Sequence, residues 1–141
     1  MTITLTGSCF CRSLEYKITL NSVDDARTTL CHCGNCKKAF GTNYGLTSKI
    51  PKSAFQYTKG KPKEHAMDNG GGSVVTREFC SECGSYILEY GAQAKNDFRF
   101  VTLGSLDNPT ALPPKGEFFT KDRLDWMPQI PNTFQKREIK E

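Results

Sequence analysis

Seven cysteines fall into three short clusters: Cys9 and Cys11 in "GSCFC", Cys31, Cys33 and Cys36 in "CHCGNC", and Cys80 and Cys83 in "FCSECGS". An odd number cannot all pair as disulfides, and an intracellular setting would keep such thiols reduced. A thioredoxin-like redox centre needs its first cysteine at a helix N-terminus, whereas "FCSECGS" follows a strand-like run and enters a turn. Buried inert thiols account for one or two cysteines but not for three clusters. Metal ligation accounts for all seven.

The spacing suggests how they divide. Side chains at i and i+2 of an extended segment share a face, so Cys9 and Cys11 point together, as do Cys31 and Cys33. Cys80 and Cys83 converge across a tight turn, with Gly84 where the backbone often turns left-handed. The two outer pairs supply four thiolates, the closed tetrahedral set of a structural zinc. They lie about seventy residues apart, so such a site would link metal binding to folding. The middle cluster keeps three, with the "GN" turn bringing Cys36 round to Cys31 and Cys33. Three protein ligands and a free position is the pattern of an exchangeable or catalytic zinc. A partition in which the triplet borrows from a pair would strand a lone thiol. His32 should point away from the triplet, as a non-ligand with a packing or surface role.

Charge then suggests chemistry. Three thiolates around Zn²⁺ leave a net charge of −1, a weaker Lewis acid than a three-histidine zinc and less apt to ionise water. Such a soft centre suits a further sulfur, which points to thiol chemistry more than hydrolysis. The competing possibility is a fourth position filled by water, His65 or a partner, with no chemistry attached.

The chain of 141 residues fits one domain, 1–141, and nine Phe and five Tyr allow a packed interior. No run of eighteen apolar residues is present, which excludes a membrane helix. "MTITLTGSCF" has neither the basic nor the apolar region of a secretory signal, and "QKREIKE" carries no lipidation or retention ending. A cytoplasmic location is expected, with the nucleus also open. The net charge of +4 is spread out, and its densest basic stretch, "KGKPKEH", is broken by Gly, Pro and Glu. It reads as a solvated loop, so nucleic acid is not an expected partner.

"SLEYKITL" alternates Leu14, Tyr16, Ile18 and Leu20 with polar residues, the period of a half-buried strand. "FQYT", "SVVTREFC", "YILEY", "FRFVTLG" and "EFFT" read similarly. Turn-rich segments such as "KIPKS", "DNGGGS" and "GSLDNPTALPPKG" separate them. The best helical candidate is the short "CKKAFG". The fold class is therefore mainly β: short antiparallel strands with long loops, organised around a structural zinc.

Taken in order, "GSCFC", "SLEYKI", "CHCGNCKKAFG", "TREFCSECGSYI", "VTLGSLDNP" and "KDRLDWMP" resemble the family of glutathione-dependent formaldehyde-activating enzymes and centromere protein V. The resemblance runs over roughly the whole chain, and the combination of CxC, CxCxxC and CxxCG is specific where each part alone is not. It implies a tent-like β fold related to the Mss4 zinc domains. It also implies two zincs per chain, a structural one on Cys9, Cys11, Cys80 and Cys83 and a labile, catalytic one on Cys31, Cys33 and Cys36. The implied activity is a carbon-sulfur lyase reaction joining glutathione and formaldehyde. The partners to expect are a small thiol such as glutathione and no membrane, with a homodimer admissible. A non-catalytic zinc scaffold, or an enzyme of specialised metabolism acting on another substrate, are the alternatives.

Around the triplet, Lys37 and Lys38 are candidates to meet an anionic substrate. Strand alternation puts Arg77 and Phe79 on the face opposite Glu78 and Cys80, which argues against direct contact of Arg77 with the knuckle thiolates. Trp126, the only tryptophan, is expected to clamp the C-terminal tail by packing.

Overall fold

The alternation read in "SLEYKITL" is where the core begins. The computed structural model describes residues 2–139. In it β1 (Ile3–Ser8) and β2 (Glu15–Leu20) form an antiparallel pair, with Ile3 opposite Leu20 and Ser8 opposite Glu15. β2 turns Tyr16, Ile18 and Leu20 inward and its intervening residues outward.

Next come β3 (Arg27–Cys31), α1 (Gly34–Phe40), β4 (Gly45–Pro51) and β5 (Phe55–Lys59). The chain goes on through β6 (Lys63–Asp68), β7 (Val74–Phe79), β8 (Tyr86–Gly91), β9 (Phe98–Thr102), β10 (Pro114–Phe118) and β11 (Phe134–Gln135). β5 joins the far side of β2 to complete a three-stranded sheet, and the other strands form a sheet in the order β11-β10-β3-β4-β9-β8-β7-β6. The protein is mainly β.

The inward residues of β2 meet Ile50 of β4, Ile87 and Leu88 of β8 and Val101 of β9 in one apolar cluster. Each such side chain contributes about 1.5–3 kcal/mol when fully buried. Cys9 and Cys80 belong to the same cluster, so the apolar core and the four-cysteine cluster are physically continuous.

The structure differs from the sequence reading in several places. Not every strand pair is antiparallel, because β10 runs parallel to both β3 and β11. β9 and β10 lie on opposite sides of the β3–β4 pair, and parallel strands require a long crossover. Residues 103–113 supply it, and the buried Leu103, Leu106 and Leu112 show that this turn-rich segment is packed.

"KGKPKEH" is only partly loop. Residues 63–68 form edge strand β6, all of it exposed, which explains why no apolar alternation marks it. Charged side chains on such an edge discourage further pairing. "KIPKS" likewise contains the end of β4.

Trp126 does not clamp the tail: it is 66% exposed. The tail is held by β11 instead. Phe134 packs edge-on against Phe118, with ring centroids 5.4 Å apart. A Cβ on Gly116 would come within 2.2 Å of the Phe134 ring, so only glycine lets the tail lie against β10. Among the described residues, no helix is long and apolar enough to cross a membrane.

Candidate metal centres and the cleft beside them

The first cluster is built by two turns. β1 ends at Ser8, so Cys9 and Cys11 sit on a turn rather than on the extended segment expected for them. Arg12 takes a left-handed conformation there (φ 65°), and its N–H donates to the Cys9 carbonyl at 3.2 Å. Opposite, the chain leaves β7 at Cys80 and folds back, with the Gly84 N–H donating to the Cys80 carbonyl at 2.9 Å. Gly84 has φ 77°, as its place after the second cysteine suggests. The turns are joined where the Phe10 N–H donates to Ser85 Oγ at 3.0 Å.

These turns bring the sulfurs of Cys9, Cys11, Cys80 and Cys83 within 4.8 Å of one another. Cys11 lies 3.7 Å from both Cys9 and Cys80, far beyond a disulfide bond, and all seven cysteines are free. Four sulfurs each 2.3 Å from a tetrahedral ion would stand about 3.8 Å apart. The spacing therefore fits a metal ion.

The surroundings fit as well. Cys80 Sγ accepts the N–H groups of Glu82 and Cys83 at 3.4 Å, and Cys9 Sγ accepts that of Leu14 at 3.3 Å. Such donors spread the charge of a thiolate cluster and orient its ligands. The Ser85 hydroxyl, 3.2 Å from the sulfur, lowers Cys83 to about 5. Ser13 beside Cys11 lowers that thiol too.

The second cluster sits where β3 gives way to α1. Cys31 ends the strand, Cys33 caps the helix and Cys36 lies in its first turn. The cap is literal: Cys33 Sγ accepts the Cys36 N–H at 3.3 Å. Helix geometry, more than a loose turn, thus brings Cys36 round. Gly41, left-handed at φ 67°, ends the helix. The three sulfurs lie within 4.8 Å of one another, each half-buried.

Without a cation these thiols conflict. Hydrogen bonds from the Cys31 and Cys36 thiols hold Cys33 well below the ordinary thiol range. The bond to Cys33 pushes Cys31 up to about 12. Cys36 is pushed up as well, by its hydrogen bonds to both neighbours and by burial. The arrangement favours the thiolate at Cys33 and the protonated thiol at Cys31 and Cys36. A divalent cation at the centre of the three sulfurs would replace those protons.

His32 lies between two members of the triplet yet outside it. It is fully buried, and its Nε2 is 2.6 Å from Glu117 Oε1. That settles its expected packing-or-surface role as an interior one. His65, a sequence candidate for a fourth ligand, does not join the converging group. It lines a cleft of about 510 Å³ together with Asn35, Lys38 and Arg77. Arg77 does not face the knuckle sulfurs directly. Its Nε donates to Tyr86 Oη at 3.0 Å. Lys38 faces the cleft, whereas Lys37 donates to the Asp122 carbonyl and ties α1 to the segment after β10. Asn35 Nδ2 donates to the Asn69 carbonyl at 2.7 Å, which fastens α1 to the β6–β7 turn.

A second cleft, about 1110 Å³, shares Ala39, Gly84 and Tyr86 with the first and is also lined by Phe40, whose ring lies 4.8 Å from that of Tyr86. Sequence reasoning missed Tyr86, Asn69 and Glu117. Tyr86 read as an ordinary strand aromatic, Asn69 as turn chemistry, and nothing distinguishes Glu117 from a solvated carboxylate.

The protein is thus a mainly β domain with one four-sulfur and one three-sulfur cluster, each of which could hold a metal ion. The chain belongs to the family described as glutathione-dependent formaldehyde-activating enzyme, whose model matches residues 4–122. All seven cysteines lie inside that range. Among solved structures, it is similar to a Rhodobacter sphaeroides protein determined by crystallography as a Northeast Structural Genomics target. The TM-score is 0.57 at 20% identity, over 79% of this chain and 98% of that one. At that identity the likeness concerns the fold. Comparison with curated proteins gave no match.

Proposed function

We propose that this protein is a zinc-dependent enzyme of the carbon-sulfur lyase type that adds a small thiol, glutathione, to formaldehyde. Cys9, Cys11, Cys80 and Cys83 hold a structural zinc, and Cys31, Cys33 and Cys36 hold a labile one. The observation that carries this reading is the unequal division of the sulfurs, four in one cluster and three in the other. A zinc on three thiolates, when bound, supplies a seat for one further sulfur in its thiolate form.

The residues around the triplet suit such a guest. Lys38 and Arg77 bring two cations to the smaller cleft, beside α1. Glutathione is a tripeptide thiol with two carboxylates, and cations in a cleft favour and orient an anion. The half-buried position of Arg77 strengthens that attraction relative to an exposed arginine. In the reaction a sulfur-carbon bond forms as the carbonyl π bond breaks. The thiol proton ends on the new hydroxyl, and no oxidant is required. A cytoplasmic setting matches the demand for reduced thiols.

The larger cleft favours a second reading, in which the electrophile is a larger organic aldehyde. Ligand pockets usually span about 300–1,000 Å³, far more than formaldehyde fills.

The test is an NMR measurement of exchange between free glutathione and its hydroxymethyl adduct, with the zinc-loaded protein added. We expect the native chain to raise the exchange rate and an Arg77→Met variant to need more glutathione for the same effect. A native rate equal to that of the protein-free mixture, for formaldehyde and for aromatic aldehydes alike, would refute the enzymatic reading.

A further inference from the structure

Between the ligand candidates Cys31 and Cys33 lies an imidazole that no water reaches. His32 is fully buried, as is the carboxylate of Glu117 that it meets. Both Glu117 oxygens are occupied. Oε1 faces His32 Nε2 at 2.6 Å, and Oε2 accepts the Ile130 N–H at 2.8 Å and Gln135 Nε2 at 2.9 Å. Arg123 Nη2 stands 3.4 Å from the same Oε2. A carboxylate surrounded by donors needs Nε2 to donate too, so the network assigns the proton to Nε2. His32 Nδ1 then carries a lone pair with no hydrogen-bond partner among the described residues.

Burying an ionised carboxylate and an imidazole is a poor way to gain stability, because desolvation offsets much of the attraction. A directional role explains the arrangement better. The His32 N–H donates to the Phe118 carbonyl at 3.0 Å, continuing the β3–β10 ladder one residue past Cys31. The Tyr44 ring meets the imidazole edge-on at 5.8 Å. Backbone, ring and carboxylate thus fix His32 from three sides. The residues whose direction this fixes are its two neighbours, Cys31 and Cys33.

We infer that His32, anchored by Glu117, is a positioning residue of the three-cysteine centre: it holds the sulfurs of Cys31 and Cys33 facing Cys36 and so governs how long that centre keeps its metal. Residues 130–135 take part through the donors they give to Glu117. The inference rests on the triplet holding a metal, as proposed above. A partner that orients a ligand from outside the coordination sphere typically changes metal affinity about 10–100-fold.

The experiment uses the full chain loaded with zinc, and follows release from each cluster to a colorimetric chelator as two kinetic phases. His32→Leu removes the donor to Glu117, whereas His32→Gln can place an amide N–H near the former Nε2. We expect His32→Leu to speed the fast phase about tenfold or more, His32→Gln to restore it substantially, and the slow phase to stay unchanged in both. If His32→Leu does not fold, Gln135→Ala, which removes one tail donor to Glu117, is read in its place; it too should speed the fast phase alone. An unchanged fast phase in the folded variant, or equal acceleration of both phases, would overturn the inference. A native chain with no fast phase at all would instead remove the reading on which it rests.

Discussion

Replacing Cys80 with alanine is expected to abolish the cooperative fold. Cys80 is 2% exposed and packs in the same cluster as Ile18, Ile87 and Val101, so the substitution strikes the core and a proposed metal ligand together. The four-sulfur cluster joins the turn after β1 to the turn after β7, residues far apart in sequence. A structural zinc supplies roughly 10–16 kcal/mol of apparent binding energy in small domains. Net stabilities of whole proteins run to only about 5–15 kcal/mol. Weakening this one site can therefore consume the entire margin. Thermal melting by far-UV circular dichroism should show no cooperative transition for Cys80→Ala. A melt within a few degrees of the native chain would mean that the apolar core suffices alone.

The opposite outcome is expected for Cys33→Ala: the fold persists and the thiol chemistry is lost. Cys33 lies half-buried at the edge of α1, and its visible structural task is to cap that helix. Losing a cap costs about 0.5–2 kcal/mol. At roughly 2–8 °C per kcal/mol, the melting temperature should fall but the transition should remain. Exchange between glutathione and its hydroxymethyl adduct should return to the protein-free rate. Cys33→Ser sharpens the comparison, since a hydroxyl restores the cap without restoring a soft sulfur. It should melt closer to the native chain than Cys33→Ala and remain as inactive. Unfolding of Cys33→Ala to the extent of Cys80→Ala would favour a scaffold with two structural metals.

These contrasting expectations were largely legible in the sequence, because short cysteine spacings translate directly into local geometry. Cys80, Cys83 and the left-handed Gly84 behave as their spacing suggests. So does the strand from Glu15 to Leu20, whose alternation reports a one-sided apolar face. What the sequence hides is set by partners distant along the chain. β6 forms because β7 offers it a hydrogen-bonding edge, and its own exposed residues carry no signal of that. The parallel placement of β10 depends on the crossover at 103–113, which no local pattern announces. Glu117 is the strongest case. It lies 85 residues from His32 in the chain and 2.6 Å from it in space. Trp126 errs the other way, since a lone tryptophan suggests packing but here meets solvent.

The division of the sulfurs into a closed four and an open three is tested most directly by counting metal. Protein purified without chelator should contain two zinc ions per chain by mass spectrometry under native conditions. Mild chelation should remove one of them while the far-UV spectrum stays unchanged, and Cys36→Ala should hold only the resistant ion. A single zinc retained with equal strength by the native chain and by Cys36→Ala would contradict the account.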